Sequence, residues 1–187
     1  MKTIYFLFTC ALVSLNVNTV HAQDIQKKYG NEIYNIYGWT TASKSEADMS
    51  ISIANSRNTF GNGKSEDWCN CNIGGEGLAI LTKVMKSVFT QDKQKALASK
   101  TTLKKITYLL YYDAATGQIL NVRFRLVGVS LSENEESSSA VTLKEIYQLE
   151  TRLKAEHFTT NNCDCSKNKY GYGMCTMLLN RLGELKE

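Results

Sequence analysis

An α+β domain, with an antiparallel sheet built around a central hairpin and helices packed on one face, is predicted by three stretches of this 187-residue sequence. Ile106 to Tyr112, Asp113 to Gly117 and Leu120 to Leu126 spell strand, turn, strand. Thr142-Leu143-Lys144-Glu145 opens an amphipathic helix with a capping-box pattern. Met49, Ile51 and Ile53 alternate with Ser50, Ser52 and Ala54, the period of a half-buried strand.

Taken in order, Gln23 to Tyr37 places Ile25, Tyr29, Ile33 and Ile36 at helical spacing, which predicts a short amphipathic helix. The strand around Ile51 follows. Asn55 to Asn72 is rich in Asn, Gly and Ser and reads as a loop. Gly74-Gly75-Glu76-Gly77 then leads into a helix whose stripe is Leu78, Leu81, Met85 and Val88, widened by Val84 and Phe89 and extending to about Ser99. In the hairpin, Gly117 supplies the turn residue that takes positive φ without steric cost. Its return strand puts Leu120, Val122, Phe124 and Leu126 on one face and Asn121, Arg123 and Arg125 on the other. Ser132 to Ser139 is an acidic, Ser-rich loop. The capped helix buries Leu143, Ile146, Leu149 and Leu153. Cys163 to Cys175 reads as a loop, and Met174, Met177, Leu178, Leu182 and Leu185 predict a last helix.

The first 22 residues read as a signal peptide. Lys2 is the positive n-region, Ile4 to Leu15 the apolar core, and Val20-His21-Ala22 the small-x-small cleavage site, so residues 23–187 form a single exported domain. The apolar run is shorter than the roughly 20 residues that a spanning helix needs, and no second such run follows. The expected location is the periplasm, the cell surface or the medium. Net charge is +4, or +3 once Lys2 is lost, too mild to point to nucleic acid. Hydrophobic residues at 43% supply a core.

Five of the six cysteines remain after cleavage, since Cys10 lies in the signal. Cys69/Cys71 and Cys163/Cys165 are C-x-C pairs, and Cys175 is the odd one. In an extended segment a C-x-C points both thiols to the same side, so the pairs can zip together as disulfides in an oxidising compartment. A bridge closing about 95 residues contributes roughly 4–5 kcal/mol in the chain-entropy model. Two alternatives stand beside this. Four thiolates can hold a metal, although C-x-C is tight for zinc and suits a soft ion such as Cu(I). Cys175, at the start of the predicted last helix, can act as a reactive thiol, because helix N-termini lower thiol pKa.

His157, the sole histidine of the mature chain, excludes His₂ and His₃ metal sites and leaves little for a catalytic dyad. It is expected at the end of the Thr142 helix. Glu133 and Glu135 belong to the acidic loop. Gly74 to Gly77 reads as a structural turn, because Glu76 would repel an anion and no Lys-Ser/Thr follows. No cofactor is implied.

Residues 106–158, as strand, Asp113-Ala114-Ala115-Thr116-Gly117 turn, strand, acidic loop and capped helix, resemble the C-terminal domain of TonB-like proteins. The leader, the tyrosine-rich mature start and the paired C-x-C motifs resemble uncharacterised small secreted proteins of Bacteroides-type bacteria. That resemblance implies a compartment and no activity. Together these readings point to an exported, non-enzymatic binding or interaction module whose partner is a protein or cell-envelope component. The rivals are a thiol protein using Cys175 and a soft-metal binder using the C-x-C pairs.

Overall fold

The computed structural model describes residues 23–39, 50–58, 68–70, 73–98, 104–158 and 167–179. The signal segment, Cys71, Cys163, Cys165, Leu182 and Leu185 lie outside these.

A seven-stranded sheet runs in the order β1-β2-β3-β6-β5-β9-β4. Its strands are β1 (Gln23–Tyr29), β2 (Glu32–Trp39), β3 (Ser50–Asn55), β4 (Trp68–Asn70), β5 (Lys105–Asp113), β6 (Ile119–Val127) and β9 (Tyr170–Leu178). Every pairing is antiparallel except β4 with β9. A small parallel pair, β7 (Leu131–Ser132) and β8 (Val141–Thr142), flanks it. The helices are α1 (Gly74–Val88), α2 (Gln91–Leu97) and α3 (Leu143–Lys154). The class is therefore α+β with a mostly antiparallel sheet and three helices among the described residues.

The core forms where one sheet face meets the helices. Tyr34 and Ile36, Ile51 and Ile53, Val122, Phe124 and Leu126, and Ile106, Tyr108 and Leu110 alternate inward along four strands. Leu81, Val84 and Met85 of α1 and Ile146, Leu149 and Leu153 of α3 cover them. The hairpin of β5 and β6 sits centrally, as predicted, with Asp113 accepting hydrogen bonds from the Ala115 and Thr116 backbone N–H groups at 3.0 and 2.8 Å. Gly117 takes φ +70, and a Cβ there would strike the Phe158 carbonyl. The predicted capping box is present: Thr142 Oγ1 accepts from the Glu145 N–H at 3.2 Å, and Glu145 Oε2 accepts from the Thr142 N–H at 2.8 Å.

Four expectations are corrected. Gln23 to Tyr37 is a hairpin, not a helix. Gly30, at φ +58, occupies the first of two loop positions, as a II′ hairpin turn requires. The helix after Gly74 stops at Val88, and a second, short helix starts after Thr90, whose side chain accepts from the Lys93 N–H at 3.2 Å. α3 ends at Lys154, so His157 is not helical; it forms an isolated bridge with Gln118. The predicted last helix is, over Met174 to Leu178, the end of strand β9.

Candidate functional site

Among the described residues, α1 and α3 pack on the core face of the sheet, and two rows of side chains cross its other face. Alternation puts Ile106, Tyr108 and Leu110 of β5 and Val122, Phe124 and Leu126 of β6 into the core, so the odd positions between them face away; at the register shift beside Tyr111 and Tyr112, Ile119 rather than the expected Leu120 turns inward. In register, Met174, Leu109, Arg123 and Ala54 form one row across β9, β5, β6 and β3. Thr176, Thr107, Arg125, Ser52 and Tyr37 form the next, reaching β2. The rows line a shallow depression of about 310 Å³. Met174 is 69% exposed and Tyr37 45%, although both are large and apolar in body. Ile33, also exposed, lies on the same side of β2.

Polar contacts hold these side chains in place. Arg125 Nε donates to Ser50 Oγ at 2.9 Å, and the Thr107 and Thr176 hydroxyls are 3.0 Å apart. The Arg123 guanidinium lies 5.6 Å from the centre of the Tyr111 ring, a cation–π distance. Beyond that point Tyr111 and Asn121 are buried, which bounds the open patch at one end. Within β3, β5, β6 and β9 the described residues include Lys105, Arg123 and Arg125, and the acid is Asp113. Asp113 is turned into its own loop, where the Thr116 N–H and hydroxyl and the Ala115 N–H hold its carboxyl below the usual range. Among the described residues that line the depression, the charged ones are Arg123 and Arg125.

The sequence-predicted residues fall elsewhere. Cys69 lies in β4, opposite Gly171 of β9, and packs against the core. It is a disulfide-bonded cysteine. Since Cys71, Cys163 and Cys165 lie outside the described residues, no pairing among the four is established. Cys175 is a free, half-buried thiol in the middle of β9, opposite Tyr108 of β5. It belongs to a strand rather than to a helix N-terminus, and burial pushes its thiol pKa up. The same burial, with Cys175 adding to it, raises the Tyr108 hydroxyl well above its ordinary range. His157 is exposed. Glu133 and Glu135 pair with Lys27 at 2.5 Å and Lys144 at 3.4 Å. Gly74 to Gly77, expected as a turn before the helix, are its first turn; a Cβ on Gly77 would lie 2.8 Å from the Ile73 side chain, whereas Gly75 faces open space. Among the described residues no three His, Cys, Asp or Glu side chains converge as a metal ion would need.

Sequence reasoning missed one buried polar cluster. Glu150 of α3, 3% exposed, accepts from the Tyr34 hydroxyl at 2.8 Å and from Asn55 Nδ2 at 3.2 Å, and pairs with Lys154 at 2.6 Å. Asn55 also donates to Glu32 at 2.9 Å, and Glu32 pairs with Arg57 at 3.1 Å. The cluster ties α3 to β2 and β3. The faint sequence signal was a Glu one residue after Leu149, on the inward side of a helix with apolar neighbours.

Comparison with known proteins places the architecture. A crystal structure of a DUF5043 family protein from Bacteroides uniformis is similar, with a TM-score of 0.50 and 12% sequence identity over 85% of this chain and 86% of that one. At that identity the likeness concerns the fold alone. It agrees with the Bacteroides-type reading of the sequence and lends nothing to the TonB-like one. No protein-family profile and no curated protein matches the chain.

Proposed function

We propose that this chain is an exported, non-enzymatic binding protein that takes its partner on the sheet face opposite α1 and α3. The observation that carries this is the exposure of Met174 and Tyr37, two large side chains that line one depression together with Arg123 and Arg125. Tyr, Met and Arg are the residue types enriched at protein interfaces. Single exposed apolar side chains need no explanation, whereas a cluster on one face does. The C-x-C cysteines serve this function as staples that hold polar segments in an oxidising compartment. The thiol reading lacks its premise, because Cys175 sits in mid-strand with a thiol held neutral by burial. No helix among the described residues is long and apolar enough to cross a membrane.

The test is a photoreactive side chain at position 174, compared with one at Gln91 on α2, in the chain expressed and exported in its native cells. A discrete adduct at 174, competed by the unmodified protein and not by the Tyr37→Asp variant, supports the reading. Equal adducts at both positions, or none, overturns it.

A further inference from the structure

We propose that the chain pairs with a second copy of itself through the edge strand β1, antiparallel and centred on Gln26, so that two sheets become one. This pairing does not depend on the binding face. It follows from the backbone groups that β1 leaves over. β1 ends the sheet among the described strands, and its hairpin to β2 closes on Tyr29 and Glu32 around a two-residue loop. That closing pair exchanges both hydrogen bonds, and such pairs alternate with non-bonded ones, so Lys27 and Ile25 also bond to β2. The N–H and C=O groups of Asp24, Gln26 and Lys28 therefore point out of the edge, and all three residues are exposed. Such a row is a template for another strand unless something blunts it. The opposite edge is blunted by length, since β4 has three residues. β1 has seven residues and no proline. Nor is it bulged: between Ile25 and Gln23 it takes two steps while β2 takes three, so the extra residue lies in β2, where Gly38 has φ +79.

Charge decides both the occupant and the register. A two-fold axis centred on Gln26 sets Asp24 opposite Lys28 of the partner subunit, and Lys28 opposite Asp24 of the partner subunit. The outward groups of Asp24, Gln26 and Lys28 then all find backbone partners, at Cα spacings of about 5.5 Å. Neither Asp24 nor Lys28 forms an ion pair among the described residues. Other centres fail. On Asp24, Lys27 or Lys28 the axis sets like charges directly opposite each other, which is destabilising. On Ile25 it leaves Lys28 facing beyond Gln23, and no acid meets a base. The strand is thus self-complementary in one register. On the helix side that register puts half-buried Ile25 opposite Lys27 of the partner subunit, whose stem can cover it while the ammonium keeps to water and to Glu133. The axis stands perpendicular to the sheet, so the helices of both copies fall on one side and both Tyr37–Met174 depressions on the other. The seam is about 24 Å long. That is small beside a standard interface, so the dimer is weak and forms as concentration rises.

The experiment is sedimentation of the mature exported chain from micromolar to near-millimolar concentration. The expected result is a monomer that passes into a dimer as concentration rises, and less readily at high salt. Gln26→Pro removes an outward N–H that the monomer does not use, so the fold should survive, as its Tm will show, while self-association falls at least tenfold. Asp24→Lys and Lys28→Asp should each weaken self-association roughly tenfold. An equal mixture of those two variants should associate as well as the natural chain, because each then supplies the charge that the other lacks. A folding defect could not produce that rescue. A photoreactive side chain at position 26, in exporting cells, should give an adduct of twice the chain mass. A monomer at every concentration, a dimer indifferent to Gln26→Pro, or a mixture that fails to recover overturns the proposal. A dimer dissolved by Met174→Asp and not by Gln26→Pro moves the contact to the depression. An adduct at position 26 with a different protein assigns the edge to a foreign strand. Either result overturns pairing of two copies at β1.

Discussion

Replacing Glu150 with alanine removes the acid that ties α3 to β2 and β3, and its cost follows from who is left behind. The Tyr34 hydroxyl, fully buried, loses the acceptor at 2.8 Å. An orphaned buried donor costs about 1–3 kcal/mol. Asn55 keeps its bond to Glu32 at 2.9 Å, so it is not orphaned. Lys154 is 34% exposed and turns to water. The lost Cγ methylene and the void left by it and the carboxylate add about 1 kcal/mol. The total is about 3 kcal/mol, at the lower end of what breaking a buried pair costs. For a domain of this size that is a fall of about 6–12 °C in Tm. Tyr34→Phe should cost only about 1 kcal/mol, because Asn55 and Lys154 still hold the carboxylate. In the Glu150→Ala background the same Tyr34→Phe change should be neutral or stabilising, since it deletes the orphan. Urea unfolding of the four proteins gives the cycle, with an expected coupling of about 1–2 kcal/mol. A Glu150→Ala loss under about 1 kcal/mol, or strictly additive effects, would refute the reasoning.

Alkaline pH should unfold the protein steeply. Burial raises the hydroxyl pKa of Tyr34, Tyr108 and Tyr112 above the ordinary value of 10.0, so each contributes stability that is present below pH 10 and lost as pH rises above it. Each tyrosine ionised only in the unfolded state takes about 1.4 kcal/mol per pH unit, about 4 for the three, and Tyr34→Phe should flatten that slope by about a third. Urea midpoints between pH 9 and 11 check this, and a flat profile would contradict it. At neutral pH Cys175 should react with iodoacetamide at least tenfold more slowly in the folded chain than in urea, because its thiol is half-buried and its pKa raised. Intact mass of the urea-unfolded, non-reduced mature chain should show one alkylated cysteine; four or five would sink the disulfide staple. Asn121 is fully buried with neither amide atom hydrogen-bonded, so Asn121→Leu should leave stability unchanged or raise it by about 1 kcal/mol; a marked loss would show that the amide has a partner.

The amino-acid pattern alone determined the α+β class, the central hairpin, the capping box of α3 and the face on which Arg123 and Arg125 lie. Each is a local matter: a turn glycine, a Thr-to-Glu spacing of three, a period of two. The missed strands β1, β2 and β9 show where such reasoning stops. At the mature start, Tyr29-Gly30-Asn31-Glu32 carried a legible two-residue turn, but isoleucines and tyrosines on both strands happened to fall at helical spacing. In β9 the period of two is hidden because its inward positions include Gly171 and Gly173. A Cβ at Gly171 would run into the Tyr112 ring, which fills the space that a larger residue would take. Met174, Met177 and Leu178 then mimic a helix.

Only the tertiary structure decided that Cys175 belongs to a strand and is not activated, because its surroundings come from β5, about 65 residues away in sequence. The Glu150 cluster likewise unites residues separated by 116 and 95 positions. The open face is of the same kind. Its rows draw on β2, β3, β5, β6 and β9, and no local pattern says which strands will be neighbours or which face α1 and α3 will cover. Sequence periodicity settles which side of a strand a residue takes; long-range pairing settles what that side meets.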